Sequence, residues 1–148
     1  MRQLILVRKD IHMSPGKLAA QVSHASMAFL MNMIRKNICD VSCAEPNTMI
    51  SYVQFDKDTW DNWINGSFTK TICEAKNRNQ LLKAVELAKQ HGLEEGKDFF
   101  LIKDNCLTEL EPEEFDTNGI GRTLTCIGFR PLSEDISHAI SRKYQLYH

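Results

Sequence analysis

Lys17, Gln21 and His24 are spaced by four and three residues, so a helix running through them carries an ammonium, an amide and an imidazole on one face. Just before them, Ser14 is a good N-cap and Pro15 a good first helical residue, with fixed φ and no amide hydrogen to leave unpaired. Gly16 and Lys17 then fall in the first turn, where free backbone N–H groups and the positive end of the helix favour an anion. Arg8, Lys9 and His12 approach from the preceding turn and complete a small cationic mouth. The Gly-x-x-x-x-Gly-Lys-Ser/Thr pattern of a phosphate-binding loop is absent, and from spacing alone a normally capped helix beside solvated charges explains the same residues. A second candidate is Asp104, directly after the apolar run Phe99 to Ile102, because carboxylates just past a strand end line the cleft of open α/β sheets. Thr108 lies a few residues on, and Thr123 and Thr125 alternate on one face of a later strand; each threonine alone is an ordinary loop or strand residue.

The elements that must position these groups are readable from periodicity. Leu4 to Val7 is a short continuous apolar run, as in a strand covered on both faces. Leu18, Val22, Ala25, Phe29 and Met33 make one apolar stripe on a helix from about Pro15 to about Lys36, with Arg35 and Lys36 against its negative end. Residues 37 to 48 read as a loop, Thr48 to Phe55 fits either a strand or a helix start, and Asp58 to Trp63 forms a short helix stopping at Asn65-Gly66. Phe68 to Ala75 is a second strand; Asn77 or Asn79 caps a helix that ends at His91-Gly92. Phe99 to Ile102 is a third strand, residues 103 to 121 a polar acidic loop, and Thr123 to Phe129 a fourth strand. Pro131, Leu132 and Ser133 introduce a last helix, with Ser133 as cap. This order predicts an α/β fold, a three-layer α/β/α arrangement around a mixed, about four-stranded sheet whose last two strands pair antiparallel.

At 148 residues the chain fits one domain, 1–148, and 43% hydrophobic with 25% charged residues is ordinary for a globular core. A formal net charge of −1 excludes a global field drawing the chain to nucleic acid or anionic membrane, so a polyanion would need a local patch. The five cysteines show no framework spacing, the start shows no secretion-signal pattern, and no run approaches the ~20 apolar residues of a membrane helix. A reducing cytoplasm with free thiols is the expected setting. Cys39 and Cys43 would be half of a zinc site, but no second pair follows at finger-like spacing, and they read as loop and core residues. Trp60 and Trp63 could stack on a base, though a spacing of three more simply anchors a short helix to the core. Tyr144, Leu146 and Tyr147 could bury against a partner subunit.

The stretch Leu6-Val7-Arg8-x-Asp10-Ile11-x-Met13-x-x-Gly16-Lys17-Leu18-Ala19-Ala20-Gln21-Val22-Ser23-His24-Ala25 resembles the N-terminal signature of the type-2 peptidyl-tRNA hydrolases, Val-Arg-x-Asp-Leu-x-Met-x-x-Gly-Lys-x-Ala-Ala-Gln-x-Ser-His-Ala. It is long, ungapped and chemically unusual. Weaker matches follow at Gly66 to Ala75, at Phe100-Leu101-Ile102-x-Asp104, at Thr123 to Gly128, and at Ile136 to Tyr147. The resemblance covers most of the chain, with insertions near 37–60 and 109–121.

What the resemblance implies is hydrolysis of the ester between a peptide and tRNA, with Lys17, Asp104, Thr108 and Thr123 at the positions of the family's implicated lysine, aspartate and threonines. Such an ester needs an attacking water, a base or orienting carboxylate (Asp104) and a donor for the oxyanion (Lys17). Threonine hydroxyls would position the water or the terminal ribose. Arg8, Lys9, His12, Gln21, His24 and Arg122 would meet the substrate, through salt-dependent phosphate contacts where they are cationic. No metal or cofactor is required, and a homodimer is compatible with the resemblance. The chain also departs from the pattern. Asn105-Cys106-Leu107-Thr108 stands where the family has Ala-Gly-Arg-Thr, Cys126 and Phe129 replace a Gly and a Pro, and Glu74 replaces a lysine. Glu109, Glu111, Glu113, Glu114 and Asp116 form an acidic run. Three readings stay open: a peptidyl-tRNA hydrolase, a silent relative binding RNA or protein through the same surface, and a hydrolase of another acyl ester or amide.

Overall fold

Strand β1 (Arg2–Arg8) is buried from Gln3 to Arg8, and its apolar residues divide between two cores. Leu4 and Leu6 face one layer of helices, while Ile5 and Val7 pack with Ala25 on the other side. That period of two is why the run reads as continuously apolar: a central strand has no solvent face. The computed structural model describes residues 1–39 and 45–148; Cys43, and with it the Cys39–Cys43 spacing, lies outside the described residues.

Helix α1 (Pro15–Lys36) begins and ends where the sequence places it. Ser14 Oγ accepts from the Lys17 N–H at 3.3 Å, Pro15 opens the first turn, and Arg35 and Lys36 close the last. The short strands β2 (Ile38–Cys39) and β3 (Ile50–Ser51) pair with each other, which settles the ambiguous segment after Thr48 as partly extended. Helix α2 (Lys57–Thr59) runs on into a π-helical turn, Trp60–Ile64. There Trp63 is 1% exposed, stacks at 4.1 Å on Phe68 and donates from Nε1 to the Thr69 carbonyl, so it anchors the turn; Trp60 stays half exposed. Strand β4 (Lys70–Ala75) leads to helix α3 (Arg78–Gln90), capped by the Asn77 side chain and ended at Gly92 with φ +76°. Strand β5 (Phe99–Asp104), the two-residue β6 (Glu114–Phe115) and the long β7 (Gly121–Leu132) follow. Helix α4 (Glu134–Ser141), capped by Ser133, and strand β8 (Gln145–Leu146) complete the chain.

The sheet order is β5-β7-β1-β4-β8, with β6 alongside β7, so the mixed sheet has six strands rather than about four. The two additions, β6 and β8, are two residues each, too short to show a period in sequence. Pro131 and Leu132 belong to β7 instead of introducing α4. Pro131 lies opposite Gln3 beside an irregularity in the β1–β7 ladder, where a missing N–H is tolerated. The tail is used within its own chain: Tyr144 donates its hydroxyl to the Gln80 carbonyl, the Tyr147 N–H bonds Ile72, and Leu146 pairs with Cys73.

Helix α1 covers one face of the sheet; α3 and α4 cover the other through Leu81, Ala84, Ala88 and Ile140, giving the three layers. What brings α1 so close is Gly128 on β7: a Cβ there would stand 2.1 Å from the Ala25 carbonyl oxygen. Replacing Gly128→Ala must therefore push the helix off the sheet. The expected cost is about 3 kcal/mol or more, and on the order of 10 °C in Tm, measured by denaturant and thermal unfolding. An unchanged Tm would show that α1 is not seated on this glycine.

Candidate active site

β4 runs parallel to β1, and β1 and β5 each run antiparallel to the strand between them, β7. Strands β1 and β5 therefore point the same way, and their C-terminal ends share one end of the sheet. The turn after β1 opens α1 there, and Asp104 is the last residue of β5. Two segments far apart in sequence thus meet at the strand ends, where open α/β sheets place their ligands.

Lys17 Nζ lies 2.7 Å from Asp104 Oδ2 and donates to Thr108 Oγ1 at 3.0 Å. The pair is largely withdrawn from water, with side chains 13% and 9% exposed. Gln21 Nε2 donates to the same Asp104 oxygen at 2.8 Å, and Gln21 Oε1 accepts from the Thr125 hydroxyl at 2.6 Å. The Cys106 N–H donates to Asp104 Oδ1 at 2.9 Å. Cys106 holds φ +53°, the left-handed region, at the place where the family pattern has glycine. The turn that caps Asp104 is kept, although the residue favouring it is not.

A donor and acceptor count shows what this cluster can still do. An ammonium has three N–H donors, and Lys17 directs two at Asp104 and Thr108. A carboxylate has about four lone-pair sites, and Asp104 fills three with Lys17, Gln21 and Cys106. One Lys17 proton remains, and one lone pair on Asp104 Oδ1, the oxygen that Lys17 does not touch. Both residues line an open cleft of about 280 Å³, together with Gln21, His24, Lys103 and Thr108.

The other candidates take different positions. Thr123 is 1% exposed; its hydroxyl donates to the Glu111 carbonyl at 2.6 Å and accepts from the Glu113 N–H at 3.1 Å, so it fastens the acidic loop behind Asp104. Gln21, 4% exposed, is turned inward as a brace between Asp104 and Thr125. His24 is exposed on the cleft wall, and His12 is exposed in the preceding turn with φ +45°. The cationic mouth is largely cancelled. Arg8 is 3% exposed, pointing into the protein, with both Asp10 and Glu113 at 2.7 Å and the Leu124 carbonyl at 3.0 Å. Burial opposes its charge, but the hydrogen bonds to Asp10 and Glu113 outweigh that and leave its pKa raised. Lys9 donates to Glu74 at 2.6 Å, a bond that holds the Glu74 carboxyl below its usual range. Arg122 is bound by Asp116, whose carboxyl is held low by the Ile120 N–H and by that arginine. Strand ends place these cations where the chain's own carboxylates reach them, a convergence invisible to spacing.

Three contributors were not among the candidates. In sequence Thr125 reads as an ordinary strand residue, yet it anchors Gln21. Cys106 shapes the turn at Asp104, and the one sequence signal for it is its match to the family's glycine. Glu109 takes the start of α1, where its oxygens accept from the Ser14 N–H at 3.1 Å and the Ser14 hydroxyl at 2.7 Å. Cys126 lies nearby but is no nucleophile, because burial pushes its thiol up to about 12.

A model of the family described as "Peptidyl-tRNA hydrolase PTH2" matches residues 1–147. A peptidyl-tRNA hydrolase of Methanopyrus kandleri is 32% identical over 134 residues, 90% of this chain and 87% of that one. That of Sulfolobus acidocaldarius is 30% identical over 146 residues, 99% of each chain, and that of Thermoplasma acidophilum 26% identical over 145 residues, 98% and 97%. The brace of Lys17, Gln21 and Asp104 thus stands inside a match spanning nearly the whole sequence: this chain belongs to the peptidyl-tRNA hydrolase PTH2 family.

Proposed function

We propose that the chain hydrolyses the ester joining a peptide to the terminal ribose of tRNA, with Asp104 and Lys17 as the acting groups and Thr108 beside them. The observation that carries this is the shared cleft lined by the paired Lys17 and Asp104, in which one Lys17 proton and one lone pair on Asp104 Oδ1 are left without a partner. A water accepted by that lone pair is oriented, and deprotonated as it adds to the ester carbonyl carbon. The remaining Lys17 N–H meets the oxygen on which negative charge develops, in a partly dry site where such a contact is stronger than in water. The tetrahedral adduct then expels the ribose oxygen, which takes up the proton held by Asp104. The products are a free peptide acid and tRNA. Thr108 Oγ1 accepts from Lys17, so its own proton is left to donate to a substrate oxygen. Gln21, Thr125 and Cys106 act through Asp104 as positioning residues, and Thr123 holds the loop. The family membership and the intact Lys17–Asp104 geometry support catalysis over a silent relative.

Phosphate contact falls to exposed side chains, His24 on the cleft wall and His12 in the turn before α1, together with Lys17, rather than to Arg8, four of whose five N–H groups are already directed at partners inside the protein. A cytoplasmic setting and a homodimer belong to the same reading.

Two measurements test the proposal. With purified protein and peptidyl-tRNA, Lys17→Ala and Asp104→Ala should each lower kcat by about 100- to 1000-fold while leaving the fold intact by circular dichroism. Turnover untouched by both substitutions would overturn it. Arg8→Ala should act differently, destabilising the fold by about 3 kcal/mol because a buried guanidinium bound to Asp10, Glu113 and the Leu124 carbonyl is lost. A stable Arg8→Ala protein with a raised KM would instead return Arg8 to the substrate side.

A further inference from the structure

We infer that the groove between α1 and the free edge of β5 is the subsite for the peptide part of the substrate, which it takes as an added extended strand. This rests on the hydrolase reading above and deepens it. The groove, about 310 Å³, is lined by Met27, Ala28 and Met31 of α1 and by Phe100, Leu101 and Ile102 of β5. It shares His24 with the cleft at Asp104, and Ile102 lies two residues before that aspartate, so the two are continuous. Met27 is 45% exposed, and among the described residues no carboxylate lines the groove. The surface is mainly apolar, with the neutral Asn32 as its one polar lining residue between two basic ends, His24 and Arg35, as a site for varied peptide side chains requires.

The backbone supplies the second half of the case. β5 ends the sheet order, so one of its sides has no partner strand among the described residues. Phe99 bonds away from β7: its carbonyl accepts from Gly96 at 2.9 Å and its N–H donates to Glu94 at 3.3 Å. The Asp98 carbonyl, one residue earlier, faces β7 and accepts from Arg130 at 2.9 Å. Alternation along a strand then turns the N–H and C=O of Leu101 to the same outer side as those of Phe99. An incoming chain meets a donor and an acceptor there, the β-augmentation mode of peptide recognition.

Direction follows from the chemistry. The ester is at the peptide's C-terminus, so that end lies at Asp104 and the chain runs back toward Phe100, parallel to β5. Four steps at roughly 3.3 Å each span the distance from Asp104 to Phe100, room for about four residues.

The test compares N-acetyl-aminoacyl-tRNA with a tetrapeptidyl-tRNA of the same tRNA. Wild-type protein should favour the longer substrate in kcat/KM by about tenfold, the equivalent of about one net backbone hydrogen bond. Leu101→Pro removes the outward N–H at an edge where proline is tolerated. Met27→Glu, a surface change on α1, puts charge in the groove and keeps the test open if the proline variant fails to fold. Either should abolish the length preference and leave the short substrate unchanged. Equal turnover of both substrates by wild type, or equal loss on both in the variants, would overturn the subsite and spare the hydrolase reading. No turnover of either substrate overturns the hydrolase reading, and the subsite with it. A variant that shifts the oligomeric state in light scattering without altering the length ratio would make the groove a contact between copies and also overturn the subsite.

Discussion

The ion pair between Lys17 and Asp104 is the contact through which the two halves of the site are joined, one at a helix start and the other at a strand end. A pair this far from water contributes little to stability, because each charge loses hydration before it gains a partner. It persists because several neighbours oppose its loss. Gly128 lets α1 lie against β7, which sets the height of Lys17 over the strand ends. Gln21 and the Cys106 N–H fill the carboxylate's other positions, and Thr125 fixes Gln21 in turn. Removing any of these loosens the same geometry from a different side.

Around that pair, the electrostatics are mostly internal. Arg8, Lys9, Lys103 and Arg122 each meet a carboxylate of the same chain, and three of these four pairings draw on the 109–121 segment through Glu113, Glu114 and Asp116. A net charge of −1 is thus distributed as local pairs, and no broad field is left over. The acidic run that looks hostile to a polyanion in sequence is largely spent on these partners. Recognition then depends on a few exposed donors at the cleft and on the shape of the surface beside it.

Sequence made much of this legible, and the reasons differ by element. Helix α1 was readable end to end because its cap, stripe and basic last turn all agree. β1 was readable because a strand covered on both faces has an unbroken apolar run. Lys17, Asp104 and Thr108 were placed together by resemblance, and the geometry unites them. The direction of a charged side chain was not legible: Arg8 ends a core strand, and only the fold puts Leu124, Asp10 and Glu113 around it. Thr123 and Thr125 look equivalent two residues apart, but the ladder slips between Ile102 and Lys103, and the two hydroxyls serve different partners. Strands β6 and β8 exist through pairing alone, without a local pattern.

The carboxylate of Glu109 at the start of α1 has a consequence for any approaching anion. The helix end is already neutralised from within, by a group that sits one residue beyond Thr108. A phosphate reaching Ser14 therefore does not fill an empty site but exchanges with a resident counterion, one that is tethered and cannot diffuse away. Once displaced, Glu109 stays tethered beside the helix end as a competitor. Anion affinity at this helix start is thereby set by the chain itself, through a carboxylate held in sequence next to Thr108.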